Sequence, residues 1–278
     1  FFVISGYLIT YSILESIDKG VFSFLDFYRR RIRRIFPALI PVLIATIIFG
    51  WFVLLEDEYA QLGKHIASSV GFIQNFILAE EVGYFDNSAN TKPLLHLWSL
   101  SVEEQFYFIW PLIIYLTWKK KLNLITITSI LLLISFIANI KYIDSKPVEA
   151  FFWSVGRFWE FLSGSVLAWL VFNKNNTLLS FNKKIDNYLI LTYVGKNQRY
   201  KVERNILVNI ISLMGIMILL YGVIFIHDNL KFPGNWALVP VIGTLMVIYS
   251  GPSALINRVL LANKLVVWIG LISYPLYL

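Results

Sequence analysis

The chain contains no cysteine and only three histidines among its 278 residues, and charged residues make up only 15% of it. Without thiolates, neither a disulfide framework nor a cysteine metal site is available. The three histidines have no second ligand at a usable spacing, so no metal site is predicted. Charged residues normally account for about a quarter of a soluble domain. The low charge therefore excludes an ordinary soluble domain.

Long apolar segments take the place of charge, since 58% of the residues are hydrophobic and the mean hydropathy is +0.67. Backbone groups in lipid must be satisfied within the segment, so these runs predict helices and not barrel strands. We expect an all-α, polytopic transmembrane bundle that forms a single membrane domain over residues 1–278. About eight spans are predicted, at 1–14, 35–55, 98–118, 123–143, 149–172, 206–226, 236–250 and 265–278. The first and last fall short of the roughly 20 residues a span needs, which indicates that the domain is incomplete at both ends.

Basic residues are distributed unevenly between the loops that join these spans. Eighteen of the 24 Lys and Arg residues lie in loops 15–34, 119–122, 173–205 and 251–264, whereas four lie in 56–97, 144–148 and 227–235. Because Lys and Arg collect on the cytoplasmic side, the first set is predicted to be cytoplasmic. The same distribution accounts for the net charge of +7 without a nucleic-acid partner. In the longest outer loop, an amphipathic helix is expected around residues 59 to 78.

The most informative stretch is HLWSLSVEEQFY at 96–107, which sets two adjacent carboxylates at the start of an apolar run. A carboxylate near hydrocarbon costs about 2.5 to 3.5 kcal/mol and so normally faces a bundle interior or a wet cavity. Glu103 and Glu104 point about 100° apart on a helix, so they cannot share one face. Phe106 and Trp110 follow Glu103 by three and seven positions, which predicts that Glu103 lies on the inward stripe. The alternative is an interfacial pair that reaches into the outer loop.

Four segments, in order along the chain, resemble acyltransferase family 3, the bacterial membrane O-acyltransferases of O-antigen, peptidoglycan and other glycans. They are FFVISGYLIT at 1–10, FYRRRIRRIFPAL at 27–39, the 96–107 stretch and RFWEF at 157–161. The family also has an Arg-x10-His motif just upstream of the first segment, and this chain begins after it. The chain is therefore expected to be either a fragment or a degenerate copy without the principal histidine, and the intact internal motifs favour a fragment.

The resemblance implies an enzyme that moves an acyl group, with acetyl expected, from cytoplasmic acyl-CoA to a hydroxyl of a glycan. The acceptor would be a lipid-linked or cell-surface glycan at the outer face of the bacterial inner membrane. Acyl-CoA is then a donor substrate, membrane lipid is a further partner, and no tightly bound cofactor is implied. The alternative is a transporter or polymerase of lipid-linked sugars, which would share the polytopic bundle. A transporter is expected to show inverted-repeat symmetry, and the sequence shows none.

Arginines 29–34 lie directly before a predicted span. Arg31 and Arg34 best match the Arg-x-x-Arg motif of the family, although Arg30 and Arg33 satisfy the same spacing. Arginine forks bind phosphate in bidentate fashion, which suits the phosphates of coenzyme A, so all four are candidates for acyl-CoA binding. The alternative is a topology signal bound to anionic lipid headgroups.

Two residues are candidates for the catalytic centre, Glu103 and His96. Glu103 would orient or charge-balance a catalytic imidazole, or bind a sugar hydroxyl, whereas His96 could equally be a structural residue at the interface. The candidates for lining the cavity are Glu104, Gln105, Tyr107, Trp98, Arg157, Glu160 and Ser5. Arg157 and Glu160 are three residues apart and can pair on one helix face, so their alternative role is to offset their own burial. The small residues at 163–165 are predicted to allow close helix packing.

The predicted orientation can be tested with single cysteines, because the chain has none of its own. An impermeant thiol reagent applied to intact cells should label Asn87→Cys, in a loop predicted to face outward, and should leave Asn176→Cys unlabelled. Labelling of Asn176→Cys from outside would reverse the orientation.

Overall fold

The computed structural model describes residues 1–81, 92–173, 206–227 and 230–278, and every regular element in these ranges is a helix. The helices are α1 (Phe2–Asp18), α2 (Phe24–Val53), α3 (Glu56–Val70), α4 (Gln74–Glu80), α5 (Trp98–Lys119), α6 (Leu124–Ser145), α7 (Pro147–Phe152), α8 (Ser154–Phe172), α9 (Ile206–Phe225), α10 (Leu238–Ser250) and α11 (Lys264–Tyr277). Short turns of 3₁₀-helix at Leu95–Leu97 and Gly234–Ala237 lead into α5 and α10. The all-α prediction is confirmed. Positions 87 and 176, and most of the predicted loop 173–205, lie outside the described residues.

Four helical segments of the described chain are long and apolar enough to cross a membrane: Phe24–Val53, Leu124–Ser145, Pro147–Phe172 and Ile206–Phe225. Each of the eight predicted spans overlaps helical structure, with 149–172 divided between α7 and α8, but the count of eight is not confirmed. Helix α1 has 17 residues, and α10 and α11 are shorter still. Helix α5 has 22 residues, but its two carboxylates lower its mean hydropathy. The chain is thus a helical membrane protein with at least four segments of spanning length.

Helix α2 begins well before the position at which a span was predicted. Its N-cap is Ser23, whose side chain accepts a hydrogen bond from the backbone N–H of Asp26 at 3.4 Å. The arginine cluster therefore continues the helix and is not a loop, with Arg31 and Arg34 about two and three turns from its start. The helix therefore does not start at the predicted residue 35, because charged residues at the end of an apolar helix can continue its backbone hydrogen bonds.

The amphipathic helix expected around residues 59 to 78 is divided into α3 and α4. The chain turns between them at Gly71 to Ile73, where Phe72 has a φ of +53°. This left-handed conformation is uncommon for any residue other than glycine and costs backbone energy. The interruption brings α4 against α5, where the candidate site lies.

His65 belongs to an ion network that the sequence did not predict. Its Nε2 lies 2.8 Å from Oε2 of Glu81, and Nζ of Lys92 lies 3.0 Å from the same oxygen. Burial raises the pKa of Glu81, but the hydrogen bonds from His65 and Lys92 outweigh it and hold the pKa below its usual range. This ion network ties α3 to the end of α4 and to the segment that leads into α5.

Helices α1 and α8 approach each other closely along a seam of small residues. A Cβ atom on Gly6 would lie well inside contact distance of the Phe161 carbonyl oxygen, and one on Gly164 would meet the Val3 carbonyl oxygen in the same way. The close-packing prediction for the small residues at 163–165 is confirmed. Next to the seam, the rings of Phe2 and Phe161 stack with centroids 4.5 Å apart.

The close packing at the seam predicts that alanine destabilises the protein at Gly164 but not at Gly63. Gly164→Ala should lower the stability of the detergent-solubilised protein by about 1 to 3 kcal/mol, because the backbones of α1 and α8 must separate to admit the methyl group. Gly63→Ala is the matched control, since nothing lies within 4 Å of a Cβ added to this helical glycine. Thermal unfolding should show the control unchanged or slightly stabilised by helix propensity. Equal melting temperatures for the two variants would contradict the packing argument.

Candidate active site

The carboxylate of Glu103 is buried on the inner stripe of α5, with 8% of the residue exposed. Its Oε1 accepts a hydrogen bond from the Ser5 hydroxyl of α1 at 2.6 Å and a second one from the Tyr107 hydroxyl. Phe106 and Trp110 are also buried, so the predicted inward stripe is confirmed. Two hydroxyl donors on one oxygen offset part of the cost of burying the charge.

Arg31 connects the arginine cluster of α2 to this carboxylate. Its guanidinium carbon lies 4.1 Å from the centroid of the Tyr107 ring, within the range of a cation–π contact. The same tyrosine donates to Glu103, so a continuous series of contacts runs from Ser5 through Glu103 and Tyr107 to Arg31. Tyr107 lines the cavity as predicted, and its spacing of four residues from Glu103 places the two side chains on one helix face.

A cavity of about 500 Å³ lies between α2, α5 and the α3–α4 turn. Its polar lining residues are Arg31, Glu104, Gln105, Tyr107 and Tyr28, and its apolar and backbone lining is formed by Ile32, Ile35, Phe36, Gly71, Phe72, Ile73, Phe76, Phe108 and Ile109. Oε1 of Glu104 is enclosed and has no hydrogen-bond partner among the described residues. Of the two adjacent carboxylates, it is therefore Glu104 that is presented to the cavity, whereas Glu103 lies behind the wall.

The two ends of the cavity are built differently. At one end, which we call the Tyr28 end, the Tyr28 hydroxyl donates to the Phe108 carbonyl oxygen at 3.0 Å. At the other, the Phe72 end, the rings of Phe36 and Phe72 meet edge to face with centroids 6.0 Å apart. Helix spacing is enough to predict that Tyr28 and Ile35 line the cavity together with Arg31, because they lie three and four residues from it and so share its face.

The side-chain amide of Gln105 joins three elements at the cavity wall. Its nitrogen donates to the Phe72 carbonyl oxygen at 2.7 Å and to Oδ1 of Asn75 at 2.9 Å. Its oxygen accepts a hydrogen bond from the Ser154 hydroxyl at the start of α8. Gln105 lines the cavity as expected of it, but both ends of its amide are engaged by the protein.

The four arginines proposed for donor binding do not occupy equivalent positions. Arg31 is half-buried and lines the cavity, and Arg34 is exposed but interacts electrostatically with Glu104, as Arg31 does. Arg30 and Arg33 are exposed and do not line the cavity. The geometry thus favours the Arg31–Arg34 register over the Arg30–Arg33 register, and contact with acyl-CoA stays a prediction.

His96 lies away from this cavity and is half-buried beside the end of α11. The Tyr277 hydroxyl donates to its backbone carbonyl, and the two rings meet edge to face at 5.3 Å. Its Nε2 has no hydrogen-bond partner among the described residues. The structure does not bring His96 into contact with Glu103, and its catalytic role stays a prediction.

Four of the predicted cavity-lining residues do not line the cavity: Ser5, Trp98, Arg157 and Glu160. The Ser5 hydroxyl donates a hydrogen bond to Glu103, and neither residue is part of the cavity lining. Arg157 pairs with Glu160 at 2.7 Å, and its guanidinium also lies 5.0 to 5.4 Å from the ring centroids of Trp98, Phe151 and Phe232. These contacts agree with the alternative role of Arg157 and Glu160, an ion pair whose attraction offsets the cost of burying the two charges.

The amino-acid sequence is similar to those of known proteins. A family model described as an acyltransferase domain, type 3, matches residues 1–278. The chain belongs to acyltransferase family 3. An uncharacterized protein of Haemophilus influenzae is 34% identical over 90% of the chain and 96% of its own length. The peptidoglycan O-acetyltransferase OatA of Listeria monocytogenes is 29% identical over the whole chain, and the putative O-acetyltransferase SACOL0978 of Staphylococcus aureus is 32% identical.

The chain covers 43% of the length of OatA and 44% of that of the staphylococcal relative, so it spans less than half of these two proteins. No solved structure matches it. Family membership identifies an O-acyltransferase, an enzyme that transfers acyl groups other than aminoacyl groups. Both relatives are named for acetyl transfer, and neither name refers to transport or polymerisation.

Proposed function

We propose that the protein moves an acyl group, acetyl in the first instance, from cytoplasmic acyl-CoA to a hydroxyl of a glycan at the outer face of the bacterial inner membrane. The observation that carries this proposal is the cavity between α2 and α5, which presents Arg31 and Glu104 next to the Tyr107–Glu103 hydrogen bond. Its volume of about 500 Å³ is within the usual range for small-ligand sites.

The donor half of the proposal rests on the arginines. The guanidinium of Arg31 faces the cavity, and Arg34 lies on the same side of α2, one turn further along the helix. Coenzyme A carries phosphates, and guanidinium groups bind phosphate more specifically than ammonium groups do. The predicted cytoplasmic position of the start of α2 supports entry of the donor from that side.

The acceptor half of the proposal rests on the carboxylates and on the relatives. OatA is named a peptidoglycan O-acetyltransferase, which supports a glycan acceptor. In the proposed reaction the acceptor oxygen forms a bond to the acyl carbon, the C–S bond breaks, and the hydroxyl proton leaves through a base to the departing thiolate. Glu104 would accept a hydrogen bond from the substrate, and Glu103 would act as a positioning carboxylate that balances charge behind it.

The first test replaces Arg31 by lysine in the full-length protein. Arg31→Lys keeps the charge but loses the planar fork and the stacking on Tyr107, so the KM for acetyl-CoA should rise by about tenfold. Arg30→Lys is the matched control, because this exposed arginine lies in the same cluster outside the cavity lining. Acetyl transfer to the cell-envelope glycan is measured in membrane vesicles at matched protein levels. If both variants retain the parent KM, the cluster serves only topology and lipid contact.

The second test separates the two carboxylates. Glu103→Gln removes the buried charge but keeps the size of the side chain, so kcat should fall by a factor on the order of 100 with little change in KM. Glu104→Gln should act mainly on KM, because Glu104 lines the cavity. Both variants are assayed in the same vesicles, with the membrane level checked by immunoblot. A parent-like kcat in Glu103→Gln would remove this residue from the reaction.

A further inference from the structure

The Phe72 end of the cavity combines a strained backbone with a dedicated restraint. Phe72 holds a left-handed φ of +53°, and its carbonyl oxygen accepts the 2.7 Å hydrogen bond from the Gln105 amide. Strained residues of this kind persist only when their surroundings hold them, and they concentrate at functional sites. The ring that this backbone carries is part of the cavity wall.

The restraint is itself buried and well supported. Asn75, which accepts the second hydrogen bond from Gln105, is fully buried and donates to the Phe152 carbonyl oxygen and to the Ser154 hydroxyl, each at 3.1 Å. The turn is thus fixed to α5 and to the junction of α7 and α8. Both N–H groups of Gln105 are used within the protein, and its oxygen accepts from Ser154, so its contacts favour an effect on the cavity through Phe72.

The cavity also changes in character along its length. Arg31 and Tyr28 lie toward the start of α2, whereas Phe36, five residues after Arg31, meets the ring of Phe72, and Phe76 is a further aromatic side chain in the lining. A thioester donor has the matching polarity, with anionic phosphates at one end and an apolar acyl group at the other. Charge on Arg31 therefore orients such a molecule with its acyl group toward Phe72.

We propose that Phe72 is the specificity-determining residue of this cavity, where its ring limits the length of the acyl group, and that Gln105 is a positioning residue which holds the ring in place. The inference rests on the proposed function, because it takes acyl-CoA as the occupant of the cavity. Neither the family match nor the names of the relatives assign these two roles.

The test measures selectivity between donors in the full-length protein. Acetyl-CoA, propionyl-CoA and butyryl-CoA are offered to membrane vesicles that contain the native glycan, and kcat/KM is determined for each. Phe72→Gly removes the ring and also relieves the backbone, so the butyryl-to-acetyl ratio of kcat/KM should rise by about tenfold or more, the scale expected for added methylene groups in a shaped pocket. Phe52→Ala is the control, because this exposed ring on α2 lies outside the cavity and its loss should leave the ratio unchanged.

The role of Gln105 is tested with a double-mutant cycle. Gln105→Ala should raise the butyryl-to-acetyl ratio in the parent but should change it no further in the Phe72→Gly background, because the ring it positions is then absent. General destabilisation would lower turnover of all three donors together and leave their ratio fixed. Additive effects of the two substitutions on the ratio would overturn the positioning role.

A ratio within about twofold of the parent in Phe72→Gly would overturn the specificity role. If Phe72→Gly does not accumulate in the membrane, Phe72→Ala takes its place, since it also removes the ring from the cavity wall. The same twofold limit then applies. Failure of the proposed function has a different signature, because the parent itself would show no acyl-CoA-dependent transfer.

Discussion

The close approach of α1 to α8 is the constraint on which the rest of the site depends. The carbonyl oxygens of Val3 and Phe161 occupy the space that side chains on Gly164 and Gly6 would need. At this separation, Ser5 projects from α1 toward α5 and reaches the Glu103 carboxylate. A wider spacing would withdraw this hydroxyl and leave a buried charge with one donor fewer.

The arginines of α2 belong to two different physical settings. Arg30 and Arg33 are exposed, as expected of residues that fix topology at a membrane surface. Arg31 is drawn inward over Tyr107, in a continuous helix, and contributes to a cavity that also holds Glu104. One short basic run thus presents exposed arginines, the predicted orientation signal, on one face of the helix and a candidate ligand-binding group on another.

Much of the fold could be predicted from the sequence, because long apolar runs in lipid leave helix as the solution. The inward stripe of α5 followed from the spacing of Glu103, Phe106 and Trp110. The start of α2 did not, because an arginine-rich turn of helix resembles a loop in composition. The prediction that Glu104 lines the cavity agrees with the structure, but the sequence does not show that Glu103 is outside the lining, since one helix alone does not show where a neighbouring helix leaves space.

Contacts between segments that are far apart in the sequence cannot be predicted from residue spacing. The partner of His65 is Glu81, which also binds Lys92, and the restraint on Phe72 comes from Gln105, 33 residues away. Neither pairing leaves a periodic trace in the sequence. Arg157 was correctly recognised as able to pair with Glu160, but the rings of Trp98, Phe151 and Phe232 that surround it come from three separate segments.

The contrast between the two ends of the cavity has a kinetic consequence. At the Tyr28 end, a side-chain hydroxyl donates to a backbone carbonyl, and rotation of one side chain removes this contact. At the Phe72 end, the wall is a backbone turn in a strained conformation, which moves only if the chain itself rearranges. Side chains rotate on timescales of about picoseconds to nanoseconds when exposed, whereas loops move over nanoseconds to microseconds. We therefore expect the wall of the cavity to fluctuate faster at the Tyr28 end than at the Phe72 end.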